Sequence, residues 1–176
     1  MLVHNMLCCC MARRPASCTS HVATATTTTS LPKASASRLV ASAKQHTTTV
    51  ALVPPEEAWP PFQAAREALR DKGLYRWPPH INLLYPFLPP ADFTDAVALL
   101  APAAASVQPF SITCDSLGVF GGKRNGVLYA HTSSTEEVGR LCQLQAALQA
   151  ALPFCDEQQR QGQGSTPHLT LSPFHG

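Results

Sequence analysis

Two stretches of this chain, PPHINLLYPF at residues 78–87 and TPHLTLSPF at residues 166–174, carry one frame: proline, histidine, aliphatic, polar, leucine. Successive side chains on a strand point to opposite faces. His80 and Asn82 therefore share a face, with Ile81 and Leu83 behind them. His168, Thr170 and Ser172 share a face, with Leu169 and Leu171 behind. A proline before each histidine suits the start of a strand, where its missing N–H does little harm. A chain that uses such a strand twice is expected to be built from two similar halves.

The segments around the motifs fit that expectation. TTTVALVP at 47–54 is short and β-branched, hence a strand. Pro60 and Pro61 suit the first turn of a helix, Phe62, Ala65 and Leu69 form its apolar stripe, and Gly73 is its expected stop. A loop with Tyr75, Arg76 and Trp77 leads to a strand over 79–87. A second helix is expected over about 92–100, with Asp92 as N-cap and Phe93, Val97 and Leu100 inward. FSITCDSL at 110–117 alternates as a strand, and GGKRNG at 121–126 turns it into VLYAH at 127–131. Ser134 and Glu137 fit a capping box for the longest helix, with Val138, Leu141, Leu144, Leu148 and Leu152 on one face and Pro153 as its end. A polar stretch over 155–164 precedes the strand of His168. Helices mixed with hairpin-joined strands predict an α+β fold with antiparallel pairing.

Charge divides the chain. Residues 1–55 hold Arg13, Arg14, Lys33, Arg38 and Lys44 and no acid, while all eleven acids lie beyond them. The net charge of +2 therefore conceals an acidic remainder, and a broadly basic nucleic-acid surface is not indicated. Residues 1–46 are rich in Ser, Thr and Ala, and read as a disordered segment resembling a transit peptide. The hydroxyl content favours a chloroplast address, with mitochondrion or cytoplasm as alternatives. The folded domain is expected over 47–176. No apolar run is long enough for a transmembrane helix, so no membrane partner is expected. The seven cysteines contain no CxxC pair, and read as small hydrophobes rather than a metal or disulfide framework.

A single histidine in a strand is most often structural; two in one frame call for a joint role. Two imidazoles lack the third ligand that a zinc site needs, and none sits at a ligand-like spacing, so no metal is expected. Acid–base chemistry fits better. Imidazole titrates near 6.5, so one ring can be neutral while the other is charged. In-line displacement at a phosphodiester needs a base on the attacking oxygen and an acid on the leaving oxygen, and two histidines supply both. Asn82 and Thr170 could donate to the non-bridging oxygens. No cofactor is required. Trp77, Tyr85 and Phe120 could stack a base, with core packing the plainer role, and Lys123 and Arg124 could meet an RNA backbone. His131 lies outside both motifs.

His-Ile-Asn-Leu and His-Leu-Thr-Leu resemble the paired His-x-Thr/Ser-x motifs of the two-histidine phosphoesterase superfamily, and PPHINLLYPF is similar to its 2'-5' RNA ligase-like branch. The resemblance covers about residue 47 to the end. It implies a bilobal fold of pseudo-symmetric antiparallel sheets, outer helices and a central groove. It also implies metal-independent chemistry on 2',3'-cyclic phosphates or 2'-5' linkages, with RNA ends or cyclic nucleotides as substrates. His80 and His168 are then the acid and base, and Thr170 the phosphate-contacting hydroxyl. Asn82 departs from the pattern, which has Thr or Ser there. Only four residues follow Ser172, where members usually carry another helix and strand, so a C-terminally truncated version of the fold is expected. The alternative is a catalytically inactive RNA- or nucleotide-binding module or truncated paralogue.

Overall fold

In a computed structural model, residues 2–3, 7–11, 33–121, 125–157 and 166–175 are described. Eight strands and four helices follow the order β1 (Leu2–Val3), β2 (Leu7–Met11), α1 (Lys33–Ala41), β3 (Thr48–Leu52), α2 (Trp59–Ala68), β4 (Ile81–Leu84), α3 (Phe93–Ala105), β5 (Phe110–Ser111), β6 (Ser116–Gly121), β7 (Asn125–His131), α4 (Thr135–Ala151) and β8 (Leu169–His175). The main sheet runs β2-β3-β4-β8-β7-β6, antiparallel throughout, and β1 pairs with β5 apart from it. The α+β class and antiparallel pairing expected from the sequence are those observed.

The sheet divides into two three-stranded halves. The motif strands β4 and β8 lie side by side at its centre and pair through Ile81↔Leu169. Each also carries a bulge at the same place. Ala51 pairs with Asn82 and Val50 with Leu84, which leaves Leu83 as an extra residue. Tyr129 pairs with Thr170 and Leu128 with Ser172, which leaves Leu171 extra. In both motifs the bulge falls three residues after the histidine. The helices cross between halves: α2 packs against β8, and α4 against β4. Gln145 of α4 donates to the Leu83 carbonyl at 3.1 Å.

The core gathers Val50, Leu52, Ile81, Leu83, Leu84 and Leu169 from the strands, with Leu100 of α3 and Leu141, Leu144 and Leu148 of α4. Ile81 and Leu169, the residues beside the motif histidines, are thus on the apolar side.

Several elements depart from the sequence reading. The disorder expected over 1–46 does not hold for Leu7–Met11, which forms β2 of the main sheet, or for residues 33–46. Leu39 of α1 is fully buried in the core, because the helix turns this one leucine inward between exposed Arg38 and Val40. Gln45 and Phe87 exchange backbone hydrogen bonds of 2.7 and 3.2 Å. Helix α2 ends at Ala68 rather than near Gly73. Arg70 adopts φ 55°, which ends the helical run, and Leu69 is left exposed. Asp92 does not cap α3 with its side chain. It is buried beneath α1, where it accepts from the Ser42 hydroxyl at 2.5 Å and pairs with Arg38 at 3.4 Å. The strand expected over 110–117 is split, since Phe110–Ser111 turn to pair with β1.

The Ser134 hydroxyl accepts from Glu137 N–H at 3.3 Å, as expected of a cap. The Glu137 carboxylate does not complete the box; it accepts from Thr113 N–H at 2.8 Å and the Thr132 hydroxyl at 2.7 Å, tying α4 to the neighbouring strands. Lys123, Arg124 and residues 158–165 lie outside the described residues. Among the described residues no helix is long and apolar enough to cross a membrane.

Candidate functional site

Both motif histidines stand immediately before their strands rather than within them, since β4 begins at Ile81 and β8 at Leu169. This position allows each ring to fold back on its own chain. His80 Nδ1 lies 2.8 Å from the Pro78 carbonyl, and His168 Nδ1 lies 2.8 Å from the Thr166 carbonyl. A carbonyl can only accept, so each Nδ1 carries the hydrogen. Each Nε2 is then the nitrogen left for chemistry. The two halves repeat this arrangement atom for atom.

The Ile81↔Leu169 pair sets what faces what. Continuing that antiparallel register by one residue each way brings His80 across from Thr170 and His168 across from Asn82. Strand alternation directs these four side chains away from the core, to which Ile81 and Leu169 belong. Asn82 also reaches the histidine of its own motif, with a side-chain hydrogen bond to His80. His80, Asn82, His168 and Thr170, separated by half the sequence, form one half-buried cluster.

Burial lowers the proton affinity of His80 below the ordinary imidazole range. The Arg66 cation and the charge on His168 act in the same direction, while the Pro78 carbonyl and Asn82 oppose them. His168 is lowered too, by burial, against the hydrogen bond from its ring to Thr166. A charge on His168 discourages a charge on His80. A neutral ring facing a charged one is the arrangement that acid–base catalysis uses.

Asn82 is held by an element that the sequence reading did not connect to it. The Thr49 hydroxyl of β3 lies 2.8 Å from Asn82 Oδ1, closer than the Leu84 carbonyl at 3.1 Å or the Val50 carbonyl at 3.2 Å. Asn82 is thus hydrogen-bonded to Thr49 on one side and to His80 on the other. Ser172 does not join the cluster. Past the bulge it is buried, with its hydroxyl 2.9 Å from the Pro173 carbonyl.

Aromatic rings flank both histidines. Trp77 lies 5.5 Å from His80, centroid to centroid. Phe120 and Tyr129 stack at 4.1 Å, and lie 4.8 and 5.0 Å from His168. Gly118 makes room for this stack: a Cβ there would come within 2.4 Å of Tyr129 Cζ. Tyr129 and His131, whose rings are 5.5 Å apart, escaped the sequence reading. The period-2 alternation of β7 puts both on one face and is the signal that could have linked them. Tyr85 stands elsewhere, against His46, and donates to its carbonyl at 3.1 Å. Among the described residues no three metal-ligating side chains converge.

Two histidine motifs displayed in matching frames on an antiparallel α+β scaffold are the marks of the two-histidine phosphoesterases. Comparison with family models agrees: the chain belongs to the 2'-5' RNA ligase superfamily, whose model matches residues 54–175, more than half of its length. No curated protein and no solved structure matches the chain.

Proposed function

We propose that the protein is a metal-independent phosphoesterase acting on 2',3'-cyclic phosphate or 2'-5' phosphodiester bonds of RNA or nucleotides, with His80 and His168 as its acid–base pair. The observation that carries this reading is the matched pair of imidazoles, each with Nδ1 tied to the carbonyl two residues back and Nε2 left for proton transfer. In the opening of a cyclic phosphate, the neutral ring takes a proton from water as the water oxygen bonds to phosphorus. The bond from phosphorus to one ribose oxygen breaks, and the charged ring gives that oxygen its proton. The two rings exchange protonation states, so the reverse reaction uses them in opposite roles. Each transfer is worth roughly 10²- to 10⁴-fold. Thr170 and the Asn82 amide are suited to donate to the non-bridging oxygens.

The test is hydrolysis of adenosine 2',3'-cyclic phosphate by the full chain in EDTA, beside His80→Ala and His168→Ala. Turnover that survives the chelator and is lost in both variants is expected. A folded protein without turnover would favour the second reading, a binding module for RNA or nucleotides. Asn82 favours that reading to a degree, because an amide anchored by Thr49 stands where the family pattern has a hydroxyl.

Plastid targeting is a further part of the proposal, supported by the composition of the N-terminal segment. Residues 1–46 fused to a fluorescent reporter should enter plastids, and a diffuse cytosolic signal would sink the idea.

A further inference from the structure

We propose that Arg66, anchored in a buried pair with Asp71, is a positioning residue for His80 and makes the two histidines inequivalent, so that His80 enters the reaction as the base. This inference rests on the phosphoesterase reading. Arg66 projects from α2, and its side chain is 4% exposed, as buried as an apolar core residue. Its Nε donates to Asp71 Oδ2 at 2.8 Å, and its Nη1 donates to Gln63 Oε1 at 3.1 Å and to the Trp77 carbonyl at 2.9 Å. The second carboxylate oxygen of Asp71 accepts from Gly73 N–H at 2.9 Å. The guanidinium fork thus straps both ends of the 71–77 loop to the helix.

That loop ends on the groups that orient His80. The Trp77 carbonyl is gripped by Arg66, the Trp77 ring lies against the His80 ring, and the adjacent Pro78 carbonyl receives the His80 Nδ1 hydrogen. Moving the fork would turn the Trp77–Pro78 peptide and with it the imidazole. A planar, multidentate cation can fix a peptide in this way; a lysine, which offers a point charge, cannot.

Arg66 also acts through its charge. The charges that bear on His80 are those of Arg66 on α2 and of His168 just before β8, and both oppose a proton on it. Asp71 partly neutralises Arg66, while Lys72 and Arg76 of the same loop are exposed. At His168 the lowering comes from burial, against its Thr166 hydrogen bond. The repeat that makes the motifs alike is therefore broken at one point. Burial lowers the proton affinity of both rings, and the Arg66 charge adds to this at His80, which is held neutral and ready to take a proton.

The test is a pH titration of both imidazoles by NMR on the full chain, with the pH profile of adenosine 2',3'-cyclic phosphate hydrolysis beside it. The variants are Arg66→Lys and the double exchange Arg66→Met with Asp71→Leu. The latter removes the pair without stranding a buried charge, a replacement that many folds tolerate. In the double variant the His80 midpoint should rise while that of His168 stays, and the acidic limb of the profile should follow His80 upward. Arg66→Lys keeps the charge but not the fork; it should leave the His80 midpoint near wild type and lower kcat by about ten- to a hundredfold, with KM within about twofold. An unmoved His80 midpoint in the folded double variant, or equal movement of both histidines, would overturn the proposal. The titration needs no turnover, so an inactive wild type would remove the phosphoesterase reading while the midpoints still decided the electrostatic role of Arg66.

Discussion

Ile81 and Leu169 form the pair through which the two motif strands join, and both side chains are buried in the core. Each belongs to one half of the sheet and stands beside a motif histidine. Their pairing connects the halves and brings the two histidine motifs side by side. Leu169→Ala should therefore act twice. It should cost about 2–5 kcal/mol of stability, the range for emptying a buried leucine site. It should also lower turnover of the cyclic nucleotide below what the remaining folded fraction explains, because the strands lose their shared anchor. Denaturant unfolding beside kcat per folded molecule separates the effects; activity that tracks the folded fraction alone would count against an alignment role.

Gly118 is needed for the space it leaves. Gly118→Ala would push a Cβ to within 2.4 Å of Tyr129 Cζ, and the ring would have to leave its stack on Phe120 and its place beside His168. Overpacking of this kind costs about 1–3 kcal/mol. We expect a lowered Tm and a loss of kcat. Tyr129→Phe should preserve both, because the stack is a contact between rings.

The acid sensitivity of the fold follows from the histidines. Both have folded-state proton affinities below the unfolded value, so the unfolded chain binds more protons as pH falls. Well above the unfolded imidazole value of about 6.5 both states are neutral at these sites and contribute no slope. Below it, stability should decline with falling pH until the folded-state midpoints are passed. In His80→Gln this decline should be shallower than in wild type. Thermal melts from pH 7.5 to 5 would show this, and an unchanged slope would contradict the burial of His80.

Glu137 gives a structural prediction independent of the site. Its carboxylate serves Thr113 N–H and the Thr132 hydroxyl, while its own N–H is capped by Ser134. Glu137→Ala should cost about 1–3 kcal/mol, since it strands two donors that had a charged acceptor. Glu137→Gln should recover part of the loss. A result below about 0.5 kcal/mol for the alanine variant would mean that water replaces the carboxylate, as at an ordinary surface position.

Much of the architecture was legible in the chain because its rules are local. Alternation around His80 and His168 marked both motif strands and their faces. Prolines 60 and 61 marked the start of α2, and Ser134 the start of α4. The four candidate site residues were named from two short motifs, and the fold brings all four together. Errors arose where a local signal had a stronger distant partner. Asp92 looks like a cap, but Ser42 and Arg38 claim it. Residues 33–41 look like tail, but one leucine facing the core holds them as a helix.

What the sequence determined, then, was the inventory: two strands that each present an imidazole and a polar neighbour, with aliphatics behind them. The tertiary structure alone decided that these strands lie next to each other, that Ile81 meets Leu169, that matching bulges follow each motif, and that Arg66, Trp77, Phe120 and Tyr129 close around the rings. The physical reason is the range of the forces involved. Side-chain direction along a strand follows from backbone geometry within a few residues. The choice of partner strand and register is settled by which pairing buries the apolar faces of both halves together. A guanidinium on α2 comes to act on a histidine fourteen residues away only after that burial is complete.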